Sequence, residues 1–183
     1  MICKRDIMKI AVVSYSYTGN NDKFATCVAQ SLSVEHIKII TPKPMSMGNI
    51  ILDMVFNRIP KVHPAPDALK PYDIVLFFAP VWMGHIASPL RPYLQIISSN
   101  PKAYGFFSIS GGADDENPKL LAELLKRTGT KPAIILDQHI KDLIYQSTEP
   151  TRKDTSAYKI SEAEASSLST AAIKEINKLI IHD

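Results

Sequence analysis

The sequence predicts an α/β fold: a doubly wound, five-stranded parallel sheet in the order 2-1-3-4-5 with helices on both faces. Three observations carry this expectation. Apolar, β-rich runs recur five times, at 8–13, 36–40, 73–79, 103–109 and 133–137. Helical periodicity falls between or after them. The runs are apolar at successive rather than alternate positions, as in strands covered on both faces, and such strands are joined by right-handed crossovers.

A chain of 183 residues with 45% hydrophobic content can bury one sizeable core but hardly two, so a single domain over 1–183 is expected, with the charged residues 1–7 as an extra N-terminal tail. That tail does not resemble a signal peptide, and no run reaches the length of a membrane-spanning helix. Cys3 and Cys27 lack metal-ligand spacing and suggest no disulfide framework, so a reducing cytoplasm is the expected setting. The net charge of +3 comes from scattered lysines and arginines without interleaved aromatics, which argues against nucleic acid as a partner.

The elements follow in order. After the first run, Phe24, Ala25, Val28, Ala29 and Leu32 share one face of a helix expected over 21–32. Ser46 can start a second helix carrying Ile50, Ile51, Met54 and Val55, with Pro60 marking its end. Residues 60–71 hold four prolines and read as an extended connector. Ser88-Pro89 opens a helix with Leu90, Tyr93, Leu94 and Ile97 on its apolar face. Asn117-Pro118 repeats that start before Leu120, Leu121, Leu124 and Leu125, and Gly129 stops the helix. Ser161-Glu162-Ala163-Glu164 is a capping-box sequence before a long last helix, whose Ala165, Leu168, Ala172, Ile176 and Leu179 face inward.

In doubly wound sheets ligands bind beyond the carboxyl ends of the strands, where the winding reverses. That rule selects the loops 14–21, 80–88 and 110–117. The first offers the hydroxyls of Ser16 and Thr18, a close backbone approach at Gly19, the amides of Asn20 and Asn21, and the amino end of a helix. It suits an anion, although an ordinary hydrogen-bonded turn fits the same residues. No lysine or arginine lies between Val13 and Asp22, so a phosphate here would depend on neutral donors and the helix terminus. Neither a Walker loop nor the three spaced glycines of a dinucleotide fingerprint is present.

The second loop, Ala79-Pro80-Val81-Trp82-Met83-Gly84-His85, places the single tryptophan at the ligand-binding edge, where a flat ligand could lie against it or where it could cover the end of the core. The third, Ser110-Gly111-Gly112-Ala113, offers backbone N–H groups, and Asp114, Asp115 and Glu116 after it suit a helix amino end. His85 and His139 are further candidates at the same edge. Cys27 reads as a small packing residue, and residues 140–159 as a lid or a surface loop.

Together these residues resemble the flavodoxin-like FMN-binding proteins. Ser16-Tyr17-Thr18-Gly19-Asn20-Asn21 is similar to their serine-x-threonine-glycine-asparagine-threonine phosphate loop, with Asn21 standing where threonine is usual. Pro80-Val81-Trp82-Met83-Gly84 is similar to the second flavin loop, and Ser110-Gly111-Gly112 falls where the third one lies. The resemblance implies that Ser16, Tyr17, Thr18, Gly19, Asn20 and Asn21 hold the FMN phosphate. It further implies that Pro80, Val81, Trp82, Met83 and Gly84 flank the isoalloxazine, that His85 lies near its edge, and that Ser110, Gly111 and Gly112 close the pyrimidine side. A peptide turn at Gly84 would answer reduction of the ring. The implied function is electron transfer through non-covalently bound FMN, with a redox protein or a small acceptor such as a quinone as partner. An NAD(P)H-dependent quinone-reductase-like enzyme, which would form an oligomer, and a flavin-free binding or regulatory domain are the alternatives.

Overall fold

The structure is a computed structural model that describes residues 8–111, 117–144 and 150–182. The 1–7 tail with Cys3, Gly112, the acidic residues 114–116 and the middle of the 140–159 segment therefore lie outside the described residues.

Five strands form the main sheet: β1 (Ile10–Ser14), β2 (Glu35–Lys38), β3 (Ile74–Phe78), β6 (Ala103–Ser110) and β7 (Ile134–His139). Their order is β2-β1-β3-β6-β7, every pair parallel, which is the expected 2-1-3-4-5 winding. A separate antiparallel hairpin, β4 (Val81–Trp82) with β5 (His85–Ile86), occupies the second loop. Its two strands are too short to leave a periodic signal in the sequence.

Successive side chains of each strand point to opposite faces, and both faces are apolar. Val13, Val75 and Phe77 enter one core, shared with Tyr93, Leu94 and Ile97 of α3 (Arg91–Ser99) and with Leu120 and Leu124 of α4 (Leu120–Thr128). Val12, Leu76 and Phe78 enter the other, shared with Phe24 and Val28 of α1 (Asn20–Leu32) and with Ala165, Ala172 and Ile176 of α6 (Glu162–His182). In that second core Phe78 stacks on Phe107 at 4.7 Å, and the edge of Phe24 meets Phe78 at 5.0 Å.

The helix signals hold with shifted detail. Ser46 caps α2 (Met47–Val55) by accepting from the Asn49 amide at 3.3 Å, but only Ile50 of its apolar residues is buried, while Ile51 and Val55 face solvent. α2 ends at Val55, before Pro60. Ser88-Pro89 opens a 3-10 turn, Ser88–Leu90, and the helix proper begins at Arg91. The Ser88 hydroxyl donates to Asp53 at 2.6 Å instead of capping. In α4, which packs on α3 and β5, Leu120, Leu124 and Thr128 are buried, whereas Leu121 and Leu125 of the expected stripe are exposed. Gly129 ends α4 with a φ of 75° and an amide bond to Leu125 O of 2.9 Å, as expected. Ser161 and Glu164 form the capping box of α6. The 60–71 connector contains a 3-10 turn, Pro66–Leu69, that buries Leu69. No described helix is long and apolar enough to cross a membrane.

Candidate functional site: an anion cradle at the switch point

β2 lies on one side of β1 and β3 on the other, so the crevice between their carboxyl ends opens over residues 14–21. There Gly19 stands at the N-cap of α1 with φ 94°, a left-handed conformation that any side chain would strain, and nothing lies within 4 Å of where a Cβ would be. Ser16 Oγ accepts the Gly19 amide at 3.0 Å and closes the turn. The amides of Tyr17, Thr18, Asn20 and Asn21 have no hydrogen-bond partner among the described residues. Unpartnered donors at the positive end of α1, with open space beside Gly19, make a cradle for an anion.

The asparagine side chains do something else. Asn21 Nδ2 donates to Ile109 O at 3.0 Å, and its Oδ1 accepts the Ile109 amide at 2.8 Å. Asn20 Nδ2 donates to Tyr158 O at 3.0 Å, and its Oδ1 accepts the Ile160 amide at 3.1 Å. Both amides are therefore committed to backbone, and what Asn20 and Asn21 leave free for an anion is their own N–H groups.

Asp22, the acid in the first turn of α1, is turned away from the cradle. It takes Ser14 Oγ at 2.8 Å and Lys38 Nζ at 2.8 Å, with His36 Nε2 at 3.7 Å. Burial alone would raise the Asp22 carboxyl, but the Lys38 and Ser14 hydrogen bonds and the Lys38 and His36 charges take it below its usual 3.8. Ser14 spends its one proton on Asp22, so its 2.8 Å contact with His36 makes Nε2 the donor and sets the ring tautomer.

Trp82 meets this turn from the hairpin. Its ring stands edge to face with Tyr15 and with Tyr17, both at 6.2 Å, which joins the first and second loops. The Tyr15 hydroxyl is pushed up to about 12, mostly by burial and then by its neighbours Tyr17 and Asp53. Pro80 leads into the hairpin and Val81 is buried. Met83 and Gly84 form its tip with φ 50° and 78°, the paired left-handed conformation of a two-residue hairpin turn. His85 faces α4, its Nδ1 3.7 Å from Glu123 Oε2.

At the third loop, Ser110 Oγ donates to Asp137 Oδ1 at 2.8 Å and contacts Ser108 Oγ at 2.8 Å. Gly111 follows, packed near Thr155 O and Ile140. Asp137 also accepts from Asn117 Nδ2 and lies 3.4 Å from His139 Nε2. His139 is 7% exposed, and its Nδ1 is buried without a partner. Ile135, Asp137 and His139 share one face of β7, and with Asn117, Pro118, Leu120 and Leu121 they line a cleft of about 360 Å³ beside this loop.

No protein-family model matches the sequence, and no curated protein resembles it significantly. Solved structures do share its architecture. A flavoprotein from Lactobacillus acidophilus, determined in complex with FMN, superposes with a TM-score of 0.59 at 17% identity, covering 72% of this chain and 94% of its own. A protein assigned as a flavoprotein from Bacteroides eggerthii gives 0.61 at 17%, covering 82% and 95%. One assigned likewise from Bacteroides uniformis gives 0.58 at 18%, covering 73% and 90%. The fold is flavodoxin-like.

In this flavodoxin-like frame the three loops stand at the carboxyl ends of β1, β3 and β6, in the order the sequence motifs require. Residues 150–160, in and just past the segment expected to be a lid or a surface loop, also reach this turn. Thr151 caps α5 (Arg152–Ala157), and the chain then crosses the cradle, where Lys159 Nζ donates to Thr18 O and Lys23 Nζ donates to Ile160 O at 2.9 Å. Those partners lie about 140 residues apart in the chain, beyond the reach of local pattern.

Proposed function

We propose that the protein binds FMN non-covalently and passes electrons through it. The observation that carries this reading is the cradle: unpartnered amides of Tyr17, Thr18, Asn20 and Asn21 around the open side of Gly19, at a switch point where a flat ring could extend toward Trp82. The donor set fits a phosphate monoester, because every donor in the turn is neutral and the one carboxylate nearby is directed away.

The Ser16 and Thr18 hydroxyls and the Tyr17, Thr18, Asn20 and Asn21 amides would hold the phosphate. Pro80, Val81, Trp82, Met83 and Gly84 would flank the ring, with Ser110 and Gly111 at its polar edge. Bound flavin supplies the electron chemistry, and the protein supplies orientation and access. Trp82 is steadied by Tyr15 and Tyr17, and the hairpin by the contact between His85 and Glu123. Gly84 already holds a positive φ and carries no side chain, so its peptide would be free to adjust to a bound ring.

A second reading, a reductase acting on a small acceptor such as a quinone with NAD(P)H as donor, draws support from the cleft beside the third loop. Its volume suits a small molecule, and its polar end is formed by buried His139 and half-buried Asp137. Two measurements decide. Protein saturated with FMN and then desalted should keep flavin absorbance; its loss removes the central claim. Anaerobic titration of the oxidised, loaded protein with NADPH, with a separate sample titrated with dithionite as the reference for full reduction, separates the readings, since direct reduction by NADPH favours the enzyme and resistance to it the carrier.

A further inference from the structure

We propose that Lys159 is the charged ligand of the cofactor phosphate, delivered to a turn that has no cation of its own. This rests on the FMN reading above. A phosphate monoester carries about −1.5 to −2 charges near neutral pH, against roughly half a positive charge at a helix amino end. The turn itself contributes only neutral donors, and the acidic residue in the first turn of α1 is Asp22.

Two lysines reach this region. Lys23 is occupied by Glu162 at 3.0 Å and by Ile160 O at 2.9 Å. Lys159 is exposed, has no acidic partner among the described residues, and touches the turn through one of its three ammonium protons, donated to Thr18 O. Its backbone is fixed on both sides. Asn20 holds Tyr158 O and the Ile160 amide, and the Ile160 side chain is buried in the core below. The long side chain is thus rooted at the rim of the cradle while its tip can turn from the Thr18 carbonyl to an anion.

The arrangement also reassigns Asn20. Both ends of its side chain are used on the backbone flanking Lys159, so it is a positioning residue that acts on the phosphate through Lys159. Seating of the 158–160 segment and occupation of the cradle are coupled through these two side chains.

The test is affinity for FMN and for riboflavin, which lacks the phosphate, measured by fluorescence quenching at low and high salt. Lys159→Gln keeps a hydrogen-bond donor for Thr18 O and removes the charge; Lys159→Arg keeps the charge. Lys159→Gln should weaken FMN about tenfold and flatten its salt dependence, leaving riboflavin unchanged, and Lys159→Arg should stay within about twofold of the parent. These are the changes expected from losing one unit charge a few ångströms from a phosphate near a solvated surface. Asn20→Ala should weaken FMN in the parent but add little in the Lys159→Gln background, a coupling that a purely local role for Asn20 would not produce. If the parent prefers FMN to riboflavin and Lys159→Gln leaves that preference intact, or lowers both ligands equally, the role of Lys159 is overturned while the FMN reading stands. If the parent shows no preference for FMN, the FMN reading itself fails.

Discussion

The side chain of Asn21 completes the sheet where β3 stops: it donates to Ile109 O at 3.0 Å and accepts the Ile109 amide at 2.8 Å. β3 reaches only to the register of Phe78 with Phe107, with the Ala79 amide on Phe107 O just beyond. The next outward-facing peptide groups of β6 are those of Ile109, and the asparagine amide replaces the missing strand. It thereby fixes the amino end of α1 to the start of the third loop.

Asn21→Ala should therefore lower stability by about 2–4 kcal/mol, since it leaves a buried N–H and a buried C=O unmet. Asn21→Thr, the residue common in related motifs, can satisfy at most part of the pair and should fall between the parent and alanine. Urea unfolding checks both. A loss under about 0.5 kcal/mol for alanine would mean that Ile109 is satisfied another way.

Acid sensitivity should arise at the far side of the same helix. Burial of the His36 ring holds its pKa below 6.5, against the pull of Asp22 and with the help of Lys38. The unfolded chain then takes up a proton at a pH where the folded one does not, so stability is complete above about 6.5 and declines as the pH falls through the folded value. Asp22, held below 3.8, adds a second loss at lower pH, as its unfolded form protonates first. His36→Gln should abolish the first decline and leave the second. Urea midpoints at pH 8, 6, 5 and 4 would show it, and an unchanged slope between pH 8 and 5 in the variant would exclude His36 as the source.

The winding was legible because each main strand is an uninterrupted apolar run, and the caps were legible because Ser46, Gly129 and Ser161 act within three or four residues of themselves. What escaped the sequence is non-local. Asn20 and Asn21 look like phosphate ligands in a motif, but their side chains are taken by Tyr158, Ile160 and Ile109. The hairpin at the second loop leaves no period, and the stripe that a helix buries depends on what packs against it, as the exposed Leu121 and Leu125 of α4 show.

That dependence is testable on α2. Ile50 is 3% exposed, whereas Ile51 is 48% and Val55 70% exposed, although all three belong to one apolar helix. Ile50→Ala should cost about 2–4 kcal/mol of stability, and Ile51→Ser and Val55→Ser no more than about 0.5 kcal/mol each. Thermal and urea unfolding of dilute protein would measure this. A large loss at Ile51 or Val55 would show that this face is covered in solution.

The single tryptophan gives a direct report on the cradle. Trp82 stands edge to face with Tyr17 of the first loop and Tyr15 of the adjoining core, so its emission senses whatever fills the space between the first two loops. Titration with FMN should quench that emission in step with quenching of the flavin, at one shared midpoint. Trp82→Phe should keep the aromatic packing and much of the affinity, whereas Trp82→Ala should weaken FMN and riboflavin alike by about ten- to a hundredfold, from the loss of about 1–3 kcal/mol of ring stacking of the kind aromatic side chains provide to bases. Thr18→Ala should act differently, reducing FMN affinity with little effect on riboflavin, because in the proposed binding mode its hydroxyl would serve only the phosphate end. A Trp82→Ala variant that loses FMN but not riboflavin would place the ring away from the hairpin, and the second loop would then have no part in holding it.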